Sequence, residues 1–171
     1  MTRNLKNYKV LFADLDGTLI KTKSGETFPK GIWDMEFRFD TLDAIKKLNP
    51  RFIFIVSNQG GIESGFVDER SFQIKMDYIE RSILEYCNKS VIEYLYCTSN
   101  DKNDEFRKPN IGMLEDIAIN YFVEDEKSEM LMIGDASGKE GQFSNTDKIT
   151  AEKFGIDYLD VDDFVEQMKN K

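Results

Sequence analysis

Apolar residues recur along the chain in two rhythms. Val10-Leu11-Phe12-Ala13, Phe52-Ile53-Phe54-Ile55-Val56 and Met130-Leu131-Met132-Ile133 are unbroken apolar runs of strand length, whereas residues 41–48, 68–87 and 110–121 place apolar side chains three and four positions apart. The first rhythm predicts strands covered on both faces, and the second predicts amphipathic helices. Residues 91–98 (VIEYLYCT) add a strand, 156–159 a short strand, and 146–154 and the stretch from Asp162 onward two more helices. Asp40 is the expected N-cap of the helix at 41–48, which ends before Pro50. Residues 20–28 predict a loop or small hairpin closed by Pro29-Lys30-Gly31, and 99–108 and 136–145 predict polar loops.

Strands alternating with helices predict an α/β fold: a Rossmann-like parallel sheet with helices on both faces, formed by a single domain spanning 1–171. In such sheets the active crevice lies at the carboxyl ends of the strands. Three predicted strands end there in Asp14, Ser57 and Asp135, so residues far apart in sequence should meet at one edge.

Composition narrows the chemistry. The chain has no histidine and two well-separated cysteines, Cys87 and Cys97, which removes histidine bases and most transition-metal sites. Carboxylates, lysines and an oxygen-liganded cation remain. The net charge of −9 sits entirely in residues 115–171, with residues 1–114 balanced, so a polyanionic substrate can dock on the first two thirds. Residues 1–7 contain no apolar signal core and no segment reaches membrane-span length. The expectation is a soluble intracellular protein with no membrane association, cytoplasmic or, in a eukaryote, nuclear.

Asp14, Asp16, Ser57, Lys108 and Asp135 contain the groups needed to hydrolyse a phosphate ester through an aspartyl-phosphate. Asp14 is the expected nucleophile. Nucleophile and substrate are both anionic, so the site must neutralise charge. Asp14, Asp135 and the main-chain carbonyl of Asp16 offer three oxygen ligands to Mg2+, and Lys108 pairs with a phosphoryl oxygen. Ser57 and the N–H groups of Leu15 and Asn58 can cradle the remaining phosphate oxygens, with Gly17 turning the chain away. Asp16 is placed to protonate the leaving alkoxide and then to deprotonate the hydrolytic water.

The order D-L-D-G-T at 14–18, V-S-N-Q at 56–59, R-K-P-N-I-G at 107–112 and G-D-A-S-G at 134–138 resembles the haloacid dehalogenase-like phosphatases across nearly the whole chain. That resemblance implies their fold, Mg2+ as cofactor and, from Asp16, hydrolysis of a phosphomonoester. A closer resemblance is to the 3'-phosphatase domain of polynucleotide kinase/phosphatase. It rests on Thr22, Ser24-Gly25-Glu26 and Phe28, on Gly61-Ile62 and Gly65, and on Phe143-Ser144 and Asp147, beyond the catalytic set. It implies that Asp147 supports the metal shell. No G-x-x-x-x-G-K-[ST] occurs, so a kinase or ligase would be a separate partner.

From Asp16 to Ser57 is 41 residues and from Ser57 to Lys108 is 51, largely taken up by predicted elements. A lid of domain size, roughly 50 residues or more, does not fit, so no large cap domain is expected. An open crevice favours a large substrate that itself excludes water, such as a DNA or RNA 3' end in repair or end processing. Lys21, Lys23, Arg107, Lys108 and Lys139 are candidate contacts to backbone phosphates, and Phe28, Trp33 and Phe106 candidate stacking surfaces. Two alternatives stay open. One is a small-molecule phosphatase like those for histidinol phosphate or heptose bisphosphate, although residues 99–107 lack the Cys/His zinc loop of several of these. The other is a catalytically silent interaction domain.

Overall fold

The computed structural model describes residues 8–170, so the expectation for residues 1–7 falls outside the described residues. Five parallel strands form one sheet in the order β5-β4-β1-β6-β7: β1 (Val10–Ala13), β4 (Phe52–Asn58), β5 (Val91–Cys97), β6 (Met130–Gly134) and β7 (Asp157–Asp160). β1 is central. Val10 lies opposite Phe52 on one side and Met130 on the other, and the register continues to Ala13 opposite Ile55 and Ile133. This alignment brings the ends of β4, β1 and β6 together.

The unbroken apolar runs are explained by burial on both faces. Leu11, Ala13, Ile53, Ile55, Leu131 and Ile133 face α1 (Phe39–Leu48), α3 (Glu69–Tyr86) and α6 (Val161–Lys169). The intervening Val10, Phe12, Phe52, Phe54, Val56, Met130 and Met132 face α4 (Gly112–Asn120) and α5 (Thr146–Phe154). Because strand side chains alternate between faces, a one-residue slip would exchange the two layers.

Helix boundaries depart from the sequence reading where polar side chains found other partners. Asp40 is not the N-cap of α1: Arg38 holds that position without a side-chain cap bond, and Asp40 lies in the first turn, accepting from Thr41 N and the Arg38 guanidinium. α4 starts at Gly112 rather than Asn110, whose amide instead donates to the Lys102 and Asp104 carbonyls and closes the preceding loop. Asp68 does cap α3, accepting from Ser71 N at 2.9 Å.

Four short elements have no counterpart in the apolar pattern. β2 (Ile20–Lys21) and β3 (Glu36–Phe37) form an antiparallel pair, α2 (Gly60–Glu63) follows β4, and residues 124–129 form a 3-10 helix. Each is too short to display a period. Cys87 and Cys97 are buried and unbonded, and among the described residues no helix is long and apolar enough to cross a membrane.

Phe54 is fully buried and its ring meets those of Phe12, Phe52 and Tyr121. Phe54→Ala is expected to lower unfolding free energy by ~3–5 kcal/mol, measured by urea denaturation, because the sheet cannot collapse into the void.

Candidate active site

The site is organised around a lysine that has been taken out of water. Lys108, 3% exposed, sets its ammonium 2.7 Å from Asp14 Oδ1 and 2.7 Å from Asp147 Oδ1. It is aimed there by its backbone. The Asn58 amide donates to Lys108 O and accepts from Lys108 N, both at 2.9 Å, tying the loop before α4 to the end of β4. The Asn58 side chain is thereby committed to Lys108.

Asp14, Asp135 and Asp147 each bring a carboxylate oxygen to within 4.8 Å of the others. Asp147, in the first turn of α5, is 1% exposed, and its second oxygen accepts from Ala136 N at 3.1 Å. It is thus a direct member of the acidic cluster and not merely a helix-terminal acid. Packing enforces the closeness: a Cβ at Gly134 would lie 2.3 Å from Asp147 Oδ2, and one at Gly17, whose φ is +81°, would lie 2.0 Å from Asp135 Oδ2.

Charge crowding shows in the acidities. Burial pushes the Asp14 carboxyl well above the usual range, with Lys108 pulling it back and Asp147 and Asp135 adding to the rise. Burial, and then the charge of Asp147, raise Asp135 to about 6. Burial opposes the charge on Lys108, yet Asp14 and Asp147 outweigh it and hold the ammonium protonated far above neutrality. Three carboxylates facing one lysine are two positive charges short of balance. Hard oxygen donors with this deficit suit a divalent cation such as Mg2+.

Asp16 stands apart from the cluster. Gln59 Nε2 donates to Asp16 Oδ2 and to Ser57 Oγ, both at 2.8 Å, so one amide aligns a carboxylate from the β1 loop with a hydroxyl from the end of β4. The Arg38 guanidinium donates to Gly17 O at 2.9 Å and pairs with Asp40 and Asp162, anchoring the same loop from below the sheet end. The motif V-S-N-Q contained Gln59, but its bridging role depends on a contact 43 positions away that no local pattern signals.

These groups line a crevice of about 830 Å3 that also takes in Gly60, Ser64, Phe66, Asn100, Lys102, Arg107, Phe143, Thr146 and Lys153. Of the four other basic residues proposed from sequence as substrate contacts, Arg107 alone lines it. Lys139 is drawn away by Asp160 (3.2 Å) and Asp163 (2.7 Å), and Lys21 pairs with Glu36 across the β2–β3 ribbon. Lys23 is exposed beyond that ribbon. Phe28, Trp33 and Phe106 are not in the crevice wall, and the Trp33 ring packs edge-on against Tyr78. Lys153 from the last turn of α5 lines it instead, with Lys102, Phe66 and Phe143, which are brought there by loop paths that the apolar pattern does not encode.

The doubly covered parallel sheet, with an aspartate, a serine, a lysine and two further aspartates gathered at its carboxyl edge, defines a haloacid dehalogenase-like phosphatase. More particularly, the chain belongs to the family described as polynucleotide kinase 3 phosphatase, whose sequence model matches residues 9–165. It is 33% identical over 163 residues to the bifunctional polynucleotide phosphatase/kinase of Schizosaccharomyces pombe, covering 90% of this chain and 36% of that protein. The chain therefore spans about a third of the length of that relative. It is also 32% identical over 153 residues to the histidine biosynthesis bifunctional protein HisB of Buchnera aphidicola, covering 86% of this chain and 39% of that protein. Among solved structures, D,D-heptose 1,7-bisphosphate phosphatase from B. bronchiseptica, complexed with magnesium and phosphate, superposes with a TM-score of 0.69 at 21% identity. That match covers 93% of this chain and 86% of that one.

The weakened acidity of Asp135 sets a pH signature. Its folded pKa of about 6 exceeds the ordinary value of 3.8, so the folded state binds this proton more tightly, and the associated stability is lost as pH rises between those values. In metal-free protein at pH 7.5, Asp135→Asn is expected to raise stability by about 1 kcal/mol, discounted for solvent reaching the crevice. The advantage should vanish near pH 4. Thermal melts with chelator across this range check it, and a variant less stable at pH 7.5 would contradict the electrostatic account.

Proposed function

We propose that the protein is a Mg2+-dependent phosphomonoesterase that removes the 3'-phosphate from nucleic-acid ends through an aspartyl-phosphate on Asp14. The observation that carries the substrate choice is the uncapped crevice flanked by Lys102, Arg107 and Lys153, none of which has a carboxylate within ion-pair distance among the described residues. Between Asp16 and Ser57 the chain forms only β2, β3, α1 and β4, and between Ser57 and Lys108 only α2, α3 and β5. A long polyanion can lie across such an edge. The family match to a polynucleotide phosphatase supports the same reading.

Asp14, Asp135 and Asp147, with the Asp16 carbonyl, are the groups that would hold Mg2+, which supplies positive charge to the phosphoryl oxygens. Lys108 holds Asp14 by one oxygen and works against the rise that burial imposes on its carboxyl. An Asp14 oxygen attacks phosphorus as the bond to the 3' oxygen breaks, and Asp16, oriented by Gln59, delivers a proton to that oxygen. Water then attacks the aspartyl-phosphate phosphorus and gives its proton to Asp16, releasing inorganic phosphate and restoring Asp14. Ser57 and main-chain N–H groups at the strand ends steady the phosphoryl oxygens.

Asp14→Asn is expected to abolish release of phosphate from 3'-phosphorylated oligonucleotides, and Asp16→Asn to slow it by about 10²–10⁴-fold. Chelator should abolish wild-type turnover and Mg2+ restore it. The decisive comparison sets oligonucleotides against sugar and amino-alcohol phosphates. Turnover of the small molecules alone would move the assignment to the kind of activity named for the heptose-bisphosphate phosphatase and HisB relatives.

Gln59 supplies a separate check. Gln59→Leu should lower kcat about tenfold or more with KM little changed and should shift the pH profile of kcat, because Asp16 loses the group that orients it. A change confined to KM would refute that role.

A further inference from the structure

Two phenylalanines stand almost fully in water at the mouth of the crevice. Phe66 is 88% exposed and Phe143 is 96% exposed, and both line the same cavity as Asp14 and Lys108. An isolated exposed aromatic is ordinary. A pair flanking a catalytic crevice on tethered backbone is not.

The backbone on each side is held. Phe66 N and Val67 N both bond to Gly61 O, at 2.9 and 3.1 Å, locking the turn between α2 and α3. Around Phe143, Gly138 N bonds Ser144 O and Gln142 N bonds Lys139 O, each at 3.0 Å. The Gln142 side chain accepts from Ser137 N and Lys139 N and donates to Asp160. Exposure of these rings is therefore imposed by hydrogen-bonded loops rather than by slack chain. The loops leave β4 and β6, which pair with β1 on opposite sides, so the rings approach the Asp14 end from opposite flanks.

Beyond them the crevice wall carries Lys102, Arg107 and Lys153. Aromatic faces at the entrance and cations further along match the two halves of a nucleotide. Base stacking on an aromatic ring is sequence-tolerant, since every base presents a π-face, and cations follow the backbone.

Building on the 3'-phosphatase reading, we propose that Phe66 and Phe143 form an aromatic rim that holds the terminal nucleobase while its 3'-phosphate sits at Asp14. Binding the base covers apolar surface that the free protein leaves wet. Neither ring takes part in the chemistry; they determine which phosphates arrive.

The test uses the full chain and two 3'-phosphorylated oligonucleotides identical except that one ends in an abasic residue. Wild-type kcat/KM should be about tenfold to hundredfold higher on the oligonucleotide with the terminal base. Phe66→Ala with Phe143→Ala should erase that ratio by lowering activity on the based substrate, while the abasic substrate is turned over as before. Phe66→Tyr with Phe143→Tyr should restore it. A wild-type enzyme indifferent to the terminal base, or an alanine pair that keeps the ratio, would overturn the rim while leaving 3'-phosphatase activity established. No turnover of either oligonucleotide alongside turnover of sugar phosphates would overturn the function and the rim together.

Discussion

The buried contact of Lys108 with Asp14 and Asp147 governs the arrangement. Removing a lysine from water costs several kcal/mol, and the two carboxylates at 2.7 Å offset it only if both are held in place. Holding them requires β1 to end where it does, α5 to begin directly under Gly134, and Asn58 to grip the Lys108 backbone. Breaking such a contact would leave a buried charge uncompensated, which costs more than the contact itself contributes.

The same constraint explains why the site is poised rather than relaxed. The acid cluster exceeds its lysine by two charges, so the folded chain keeps a local excess of negative charge at the point where an anionic substrate must approach. A divalent cation held by the three carboxylates would resolve that conflict. Stability and chemistry draw on the same groups.

Much of this was legible in the sequence because strand ends and apolar runs are local signals. Asp14, Ser57, Lys108 and Asp135 each follow or precede a recognisable element, and a parallel sheet can bring them only to one edge. The illegible part is made of side chains whose partners are remote. Gln59 joins Asp16 to Ser57, Asn58 serves Lys108 from 50 positions away, and Lys139 is captured by the far edge of the sheet. The candidate cations looked equivalent by position along the chain, yet ion pairing withdrew Lys21 and Lys139 and left Arg107 at the crevice, where Lys102 and Lys153 join it. Asp40 misled for the same reason: a capping residue type had found a neighbouring arginine.

The side-chain amide of Asn58 grips the main-chain N–H and C=O of Lys108, and Asn58 is the last residue of a strand. The position of the ammonium therefore reports the alignment of the whole sheet. A chain with β4 displaced by one step would carry every catalytic residue and still point the lysine away from Asp14. The ion pair with Asp14 therefore depends on strand register, and acidic loops brought together without that register would lack the lysine contact.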